Sequence, residues 1–362
     1  MADTDTGGRD RLALAVLVQY RMATTAQMHL ILSPEVRIEQ TRRRLAKLRG
    51  EGLIDRVTLP QAGRTRVWHP TPYGAQIAGE GPELRGRRPP PPPPPRGARP
   101  AGARGGPLRG FGPRGGGRAP PPPPPRGATD RTAVRLKVGH GLTVTETALA
   151  FLQDARRRGD VCRPLDWIPE VRHPLGGGEG VIPDALLYYQ RRSADGASGA
   201  DGAHRTTGTD DAGGAGDTEG TRGGVMQRAF IEVDRATMGP ERLAAKLGAY
   251  ARLHSYAPAP AARPRQQPFP EPMQETWRQR YPLFPRLLFV LDGTGRAGVE
   301  TRIHALRAAA RDIALAGFLR EVPVLAVPLA DLLRHGPAAP VWQPIPGTDH
   351  GQRVDWMHTR HP

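Results

Sequence analysis

Residues 33–56 read SPEVRIEQTRRRLAKLRGEGLIDR. Ser33-Pro34 breaks the chain, and Ser33 is expected to cap a helix starting near Glu35. Within it Ile38, Thr41, Leu45 and Leu48 recur at three- and four-residue spacing, which places them on one face. Arg37, Gln40, Arg42, Arg43, Arg44 and Lys47 fall largely off that face. A helix that packs on one side and offers Arg and Gln on the other suits a DNA major groove, where those side chains reach base edges.

The flanks support the same reading. Asp10–Arg21 reads as a helix with Leu12, Val16 and Leu17 available for an apolar face, and Thr24 or Thr25 can cap a short helix, Ala26–Leu32. Downstream, Leu53–Leu59 and Arg66–His69 read as two strands joined by a turn at Gln61–Arg64. Three helices followed by a hairpin make an N-terminal winged helix-turn-helix over residues 10–81. Arg64 and Arg66 in the wing are then placed for phosphate or the minor groove. The stretch LAKLRGEGLIDR (45–56), followed by Trp68 and PTPYG (70–74), resembles winged-helix bacterial regulators.

Composition bounds the rest. A chain of 362 residues suggests about two domains plus spare length. Lys and Arg number 52 against 35 Asp and Glu, so the formal charge of +17 favours a polyanionic partner, double-stranded DNA above all. The single Cys162 excludes a disulfide framework and a Cys-based zinc site, as fits a reducing cytoplasm. Asp3, Asp5 and Asp10 do not read as a secretory signal, and Leu12–Val18 is too short to span a membrane. The excess of Gly (45) and Pro (41) points to unpacked segments. These are expected as a disordered tail over 1–9, a Pro/Arg/Gly-rich disordered linker over 82–130, a disordered insert over 191–224, an irregular loop over 257–272 and an extended tail over 337–362. The linker has ten Arg and no acid between Arg85 and Ala128, so it reads as a spacer tethering the winged helix to a second domain.

Residues 131–336 read as an α/β domain, a mixed sheet with flanking helices. Helices are expected over Thr143–Arg158, Pro240–His254 and Val299–Leu315. Strands are expected near Trp167–Arg172, Ile182–Tyr189, Arg228–Asp234, Arg286–Leu291 and Val322–Val327. Glu232 and Asp234 are two apart in one strand and so leave the same face, where Asp184 can join them if the strands pair. Carboxylates gathered this way suit Mg²⁺, which could activate water for attack on a phosphodiester. Lys246 on the next helix would supply a cation, and Glu146 and His140 could approach the same place. No other cofactor site is evident.

Pro183-Asp184 and Glu232 resemble the PD-(D/E)XK nuclease pattern, which implies a catalytic set of Asp184, Glu232 and a lysine. The lysine usual two residues after the acid is replaced by Asp234, so Lys246 would be its migrated substitute. The winged-helix segment, together with VIPDALLYY (181–189), RAFIEVDRATMGPERLAAKLGAY (228–250) and RLLFVLDGTG (286–295), resembles the replication-relaxation family of actinobacterial plasmids and integrative elements. That resemblance implies DNA binding in mobile-element replication, relaxation or mobilisation, with other replication or mobilisation proteins as partners. A Mg²⁺-dependent endonuclease or nickase is the alternative, and a winged-helix transcriptional regulator a further one. Enzymatic activity stays open at this point.

Overall fold

The computed structural model describes residues 8–59, 65–84, 127–192, 224–236, 239–258, 274–293, 295–347, 349 and 351–357. The wing turn with Arg64, the tail over 1–7, most of the expected linker and insert, and 259–273 of the irregular loop lie outside them.

Helix α1 (Gly8–Tyr20) leads through strand β1 (Ala23–Thr24) into α2 (Thr25–Leu32) and α3 (Ile38–Gly50), followed by β2 (Ile54–Leu59), β3 (Thr65–Pro70) and α4 (Pro72–Glu80). Thr24 caps α2 reciprocally. Its hydroxyl accepts from the Gln27 N–H at 3.1 Å, and the Gln27 side-chain carbonyl accepts from the Thr24 N–H at 2.9 Å. The third helix starts at Ile38 with Arg37 at its N-cap, not at Glu35, and Ser33 closes α2 instead. Thr41, Leu45 and Leu48 are buried as their spacing predicts. The wing is a three-stranded sheet, because β1 also pairs with β3. The PTPYG motif has a physical basis here. Thr71 caps α4 by accepting from the Gly74 N–H at 3.0 Å, and a Cβ on Gly74 would stand 1.8 Å from the Leu53 carbonyl oxygen.

The second unit opens with α5 (Gly127–Arg158), far longer than the helix expected from Thr143, and β4 (Trp167–Pro169). A small hairpin, β5 (His173–Gly176) with β6 (Glu179–Val181), comes next, adding two short strands between β4 and the strand expected at Ile182–Tyr189. Then come β7 (Ala185–Arg192), β8 (Gly224–Asp234), α6 (Pro240–Ser255), β9 (Arg286–Leu291), α7 (Gly295–Ala309), α8 (Ala316–Glu321), β10 (Val324–Pro328), α9 (Leu329–His335) and β11 (Gln343–Pro344). The main sheet has the order β11-β10-β9-β8-β7-β4. Strands β8, β9 and β10 run parallel, while β7 is antiparallel to both β4 and β8. Alternate residues of β8 supply both faces. Ile231 and Val233 pack with α5, and Phe230 packs with α6 and α7.

Two expectations are corrected. The segment after residue 336 is no extended tail. Trp342 and Trp356 are fully buried against Phe151, and β11 pairs with β10. Nor is the winged helix held by a spacer alone, because its core runs on into that of the sheet domain through α1, α5 and Trp167. The cause lies in LALAV (12–16), since Ala13, Leu14, Ala15 and Val16 are all buried on different sides of α1. Buried Gln19 donates to the carbonyls of Leu165 (2.8 Å) and Trp167 (2.5 Å), and Arg156 donates to those of Leu30 (2.5 Å) and Ile31 (2.6 Å). Among the described residues no helix is long and apolar enough to cross a membrane.

Candidate functional site

Two places bear on function, the outer face of α3 and the carboxylates at the ends of β7 and β8. On α3, Arg37, Gln40, Arg42, Arg43 and Lys47 are exposed, and Arg44 is half-buried. Arg43 lies on the side opposite the buried line of Thr41, Leu45 and Leu48. Four neighbouring cations hold carboxylates: Arg44 and Lys47 share Asp10 of α1 at 2.9 and 2.8 Å, Arg42 meets Glu39 at 3.0 Å, and Arg49 meets Asp55 at 3.1 Å. Burial pushes the Asp10 carboxyl upward, but the bonds from Lys47 and Arg44 outweigh it and hold its pKa below the ordinary value. Asp10 thus turns Arg44 and Lys47 partly toward the fold, and Arg37, Gln40 and Arg43 make the outer surface. Arg66, on wing strand β3, is exposed as well.

In the sheet domain the register pairs Ala185 with Ile231, so Asp184 stands one step further, alongside Glu232. Asp184 Oδ2 accepts from the Val233 N–H at 2.7 Å, and Oδ1 lies 3.1 Å from His140 Nε2 on α5. Glu232 is buried beneath α6, where Lys246 donates to its Oε2 and Tyr250 to its Oε1 at 2.6 Å. Lys246 and Tyr250 are four apart on α6 and reach the carboxylate together. Burial raises the Glu232 pKa to about 7, against the pull of Lys246. Burial would lower Lys246, yet Glu232 and Asp184 override it and leave its pKa above the ordinary value. The hydrogen bond with Asp184 raises His140. Asp184, Glu232, Lys246 and His140 therefore come together as their sequence pattern predicts.

Asp234 and Glu146 do not join them. Asp234 Oδ2 is bound by Arg302 of α7 at 2.5 Å, with side-chain exposures of 2% and 8%, and its Oδ1 accepts from the Ala236 N–H at 3.1 Å. Glu146 instead accepts from Gln27 of α2 at 2.7 Å, so it joins the winged helix to α5. Both oxygens of Asp184, Glu232 and Asp234 are met by a donor or by His140. Among the described residues no group of three or more His, Cys, Asp and Glu is placed to hold a metal ion. As arranged, with Lys246 on the carboxylate itself, these residues do not fit Mg²⁺. Sequence reasoning missed Arg302 as the partner of Asp234. A signal existed, because Arg302 follows Val299 by three and precedes Leu306 by four, on the buried stripe of α7.

Comparison with known proteins adds a family. Solved structures similar to the chain include a mutant of MarR from E. coli, at 22% identity and a TM-score of 0.20 over 21% of this chain and 54% of that one. The same mutant complexed with operator DNA gives 22%, 0.20, 21% and 53%. A mutant of ZitR from Lactococcus lactis gives 19% identity and a TM-score of 0.20 over 22% of this chain and 53% of that one. The chain thus spans about half the length of each of these structures. No curated protein matches it. The sequence model described as replication-relaxation matches residues 14–264, from α1 through α6. On that match, which covers more than half of its length, the chain belongs to the replication-relaxation family.

Proposed function

We propose that the protein binds double-stranded DNA in the replication, relaxation or mobilisation of a plasmid or other mobile element, docking through α3 and the wing. One observation carries this reading: α3 exposes Arg43 opposite its buried line, with Gln40 exposed on its flank and Arg37 exposed at its N-cap. Arg and Gln are the side chains that read guanine and adenine edges in the major groove, and exposed cations nearby can exchange a carboxylate for a phosphate. Other replication or mobilisation proteins are the partners such a role implies. The test is a duplex titration of Arg37→Ala/Arg43→Ala beside wild type at two salt concentrations. The expected result is at least about tenfold weaker binding, with a salt slope shallower by about 2 if both arginines meet phosphate. Unchanged affinity and slope would put the docking face elsewhere.

A metal-dependent endonuclease or nickase is the second reading. Its support is the meeting of Asp184, Glu232 and Lys246 at the ends of two inner strands of a mixed sheet flanked by α5 and α6. The closed donor set weighs against it. Supercoiled plasmid with Mg²⁺ decides between them: nicking by wild type that is lost in both Asp184→Ala and Glu232→Ala supports the enzyme. No nicking by wild type, or equal nicking by all three proteins, sinks it.

A further inference from the structure

On β7, four residues beyond Asp184, Tyr188 has Arg228 and Arg280 beside it, and Arg172 is tied to Arg280 through its backbone carbonyl. Arg228 stands opposite Tyr188 in the β7–β8 register, with its guanidinium 5.5 Å from the centre of the ring. Arg280 follows a short 3-10 turn (Thr276–Gln279), and its Nη1 donates to the Arg172 carbonyl at 2.9 Å, across 108 residues of sequence. Arg172, exposed just before β5, donates from Nη2 to the Gly178 carbonyl at 2.5 Å. Arg228 and Arg280 also lie close enough to Tyr188 to act on its hydroxyl electrostatically, with Asp166 the acid that faces it. The Asp166 carboxylate accepts from the Arg163 N–H at 2.7 Å.

Among the described residues none of these three arginines forms an ion pair, unlike Arg42, Arg44, Lys47 and Arg49 near α3. Backbone carbonyls hold the Arg172 and Arg280 side chains in place, and the Tyr188 ring holds that of Arg228. Each guanidinium has five donors in a planar fork, and the carbonyl bonds of Arg172 and Arg280 leave most of theirs for another acceptor. Such forks match phosphate oxygens in shape as well as charge. Strand, hairpin and turn fix the forks, so little entropy is lost when a phosphate arrives.

The geometry points to a second contact with duplex DNA, in which Arg172, Arg228 and Arg280 grip the phosphodiester backbone apart from α3. It rests on DNA being the polyanion this protein binds, and not on α3 being the element that reads it. The contact carries no base selectivity of its own and sets affinity and salt dependence instead.

The test uses the full chain. Duplex affinity is followed from about 50 to 200 mM salt for wild type and for Arg172→Gln/Arg228→Gln/Arg280→Gln, with the matching lysine variants as rescue. The Gln variant should have a salt slope shallower by about 2 to 3, and the lysine variants should restore it. Should the triple variant lose its fold by circular dichroism, Arg172→Gln alone should lower the slope by about 1. The same decrease is expected in an Arg37→Ala/Arg43→Ala background, so failure of the α3 reading stays distinguishable from failure of this one. An unchanged slope in folded variants overturns the proposal. A loss seen only with single-stranded DNA overturns it as well.

Discussion

On α3, Arg42 faces Glu39 at 3.0 Å with both side chains more than half exposed. In the sheet domain Arg302 meets Asp234 at 2.5 Å with exposures of 8% and 2%. The same chemistry serves two purposes. Exposed pairs are worth only about 0–1 kcal/mol, so a cation on α3 gives up its carboxylate for a phosphate at little loss. A buried pair has already lost its water, and removing one partner leaves the other charge stranded. Exposed pairs such as Arg42–Glu39 thus stay exchangeable, whereas the buried carboxylates Glu232 and Asp234 fix α6 and α7 on β8 through Lys246 and Arg302. That contrast favours α3 for docking and explains why carboxylates alike in sequence do not make one metal site.

The largest expected effect strikes at this difference directly. Arg302→Ala should destabilise the protein by about 3–5 kcal/mol in urea unfolding, whereas Arg42→Ala should cost less than about 1 kcal/mol. Equal losses would erase the distinction between the two regions.

A pH titration sharpens it next. His173 is buried in the sheet domain, 2.9 Å from the Tyr281 hydroxyl, and burial together with the nearby Arg280 charge lowers its pKa from 6.5 to about 4. The folded protein then binds fewer protons than the unfolded chain between those values. The contribution of His173 is complete above about pH 6.5 and is lost as the pH falls toward 4. Between about pH 7 and 5 this loss should reach about 2 kcal/mol. His173→Phe should flatten that part of the profile, and an unaltered slope would show that His173 is not held neutral. The smallest effect belongs to the winged helix, where Thr24→Ala removes a cap worth about 1 kcal/mol. A melting shift as large as that of Arg302→Ala would mean that local capping governs the whole fold.

Local signals made the winged helix legible. The stripe of Thr41, Leu45 and Leu48, the capping threonine and the wing strands were all within reach of neighbouring residues. In the sheet domain, β9 matched its apolar run RLLFVL residue for residue, and Lys246 was legible from the stripe of Leu243, Leu247 and Tyr250 on α6. The partners of polar residues on apolar faces were not legible. Gln19 bonds across 148 positions and Arg302 across 68, and nothing near either residue names its partner. The same distance in sequence hid the docking of α1 on the sheet domain and the burial of Trp342 and Trp356. A sequence can reveal that a polar side chain lies on a buried stripe, but the chain's topology decides what it meets there.

Photo-crosslinking tests most directly whether α3 faces the DNA. A photo-crosslinking side chain placed at Gln40, on the outer face of α3, should attach to duplex DNA. The same group at Ile313, which is 86% exposed beyond α7 in the sheet domain, should not. Crosslinking from position 313 with none from position 40 would contradict the account.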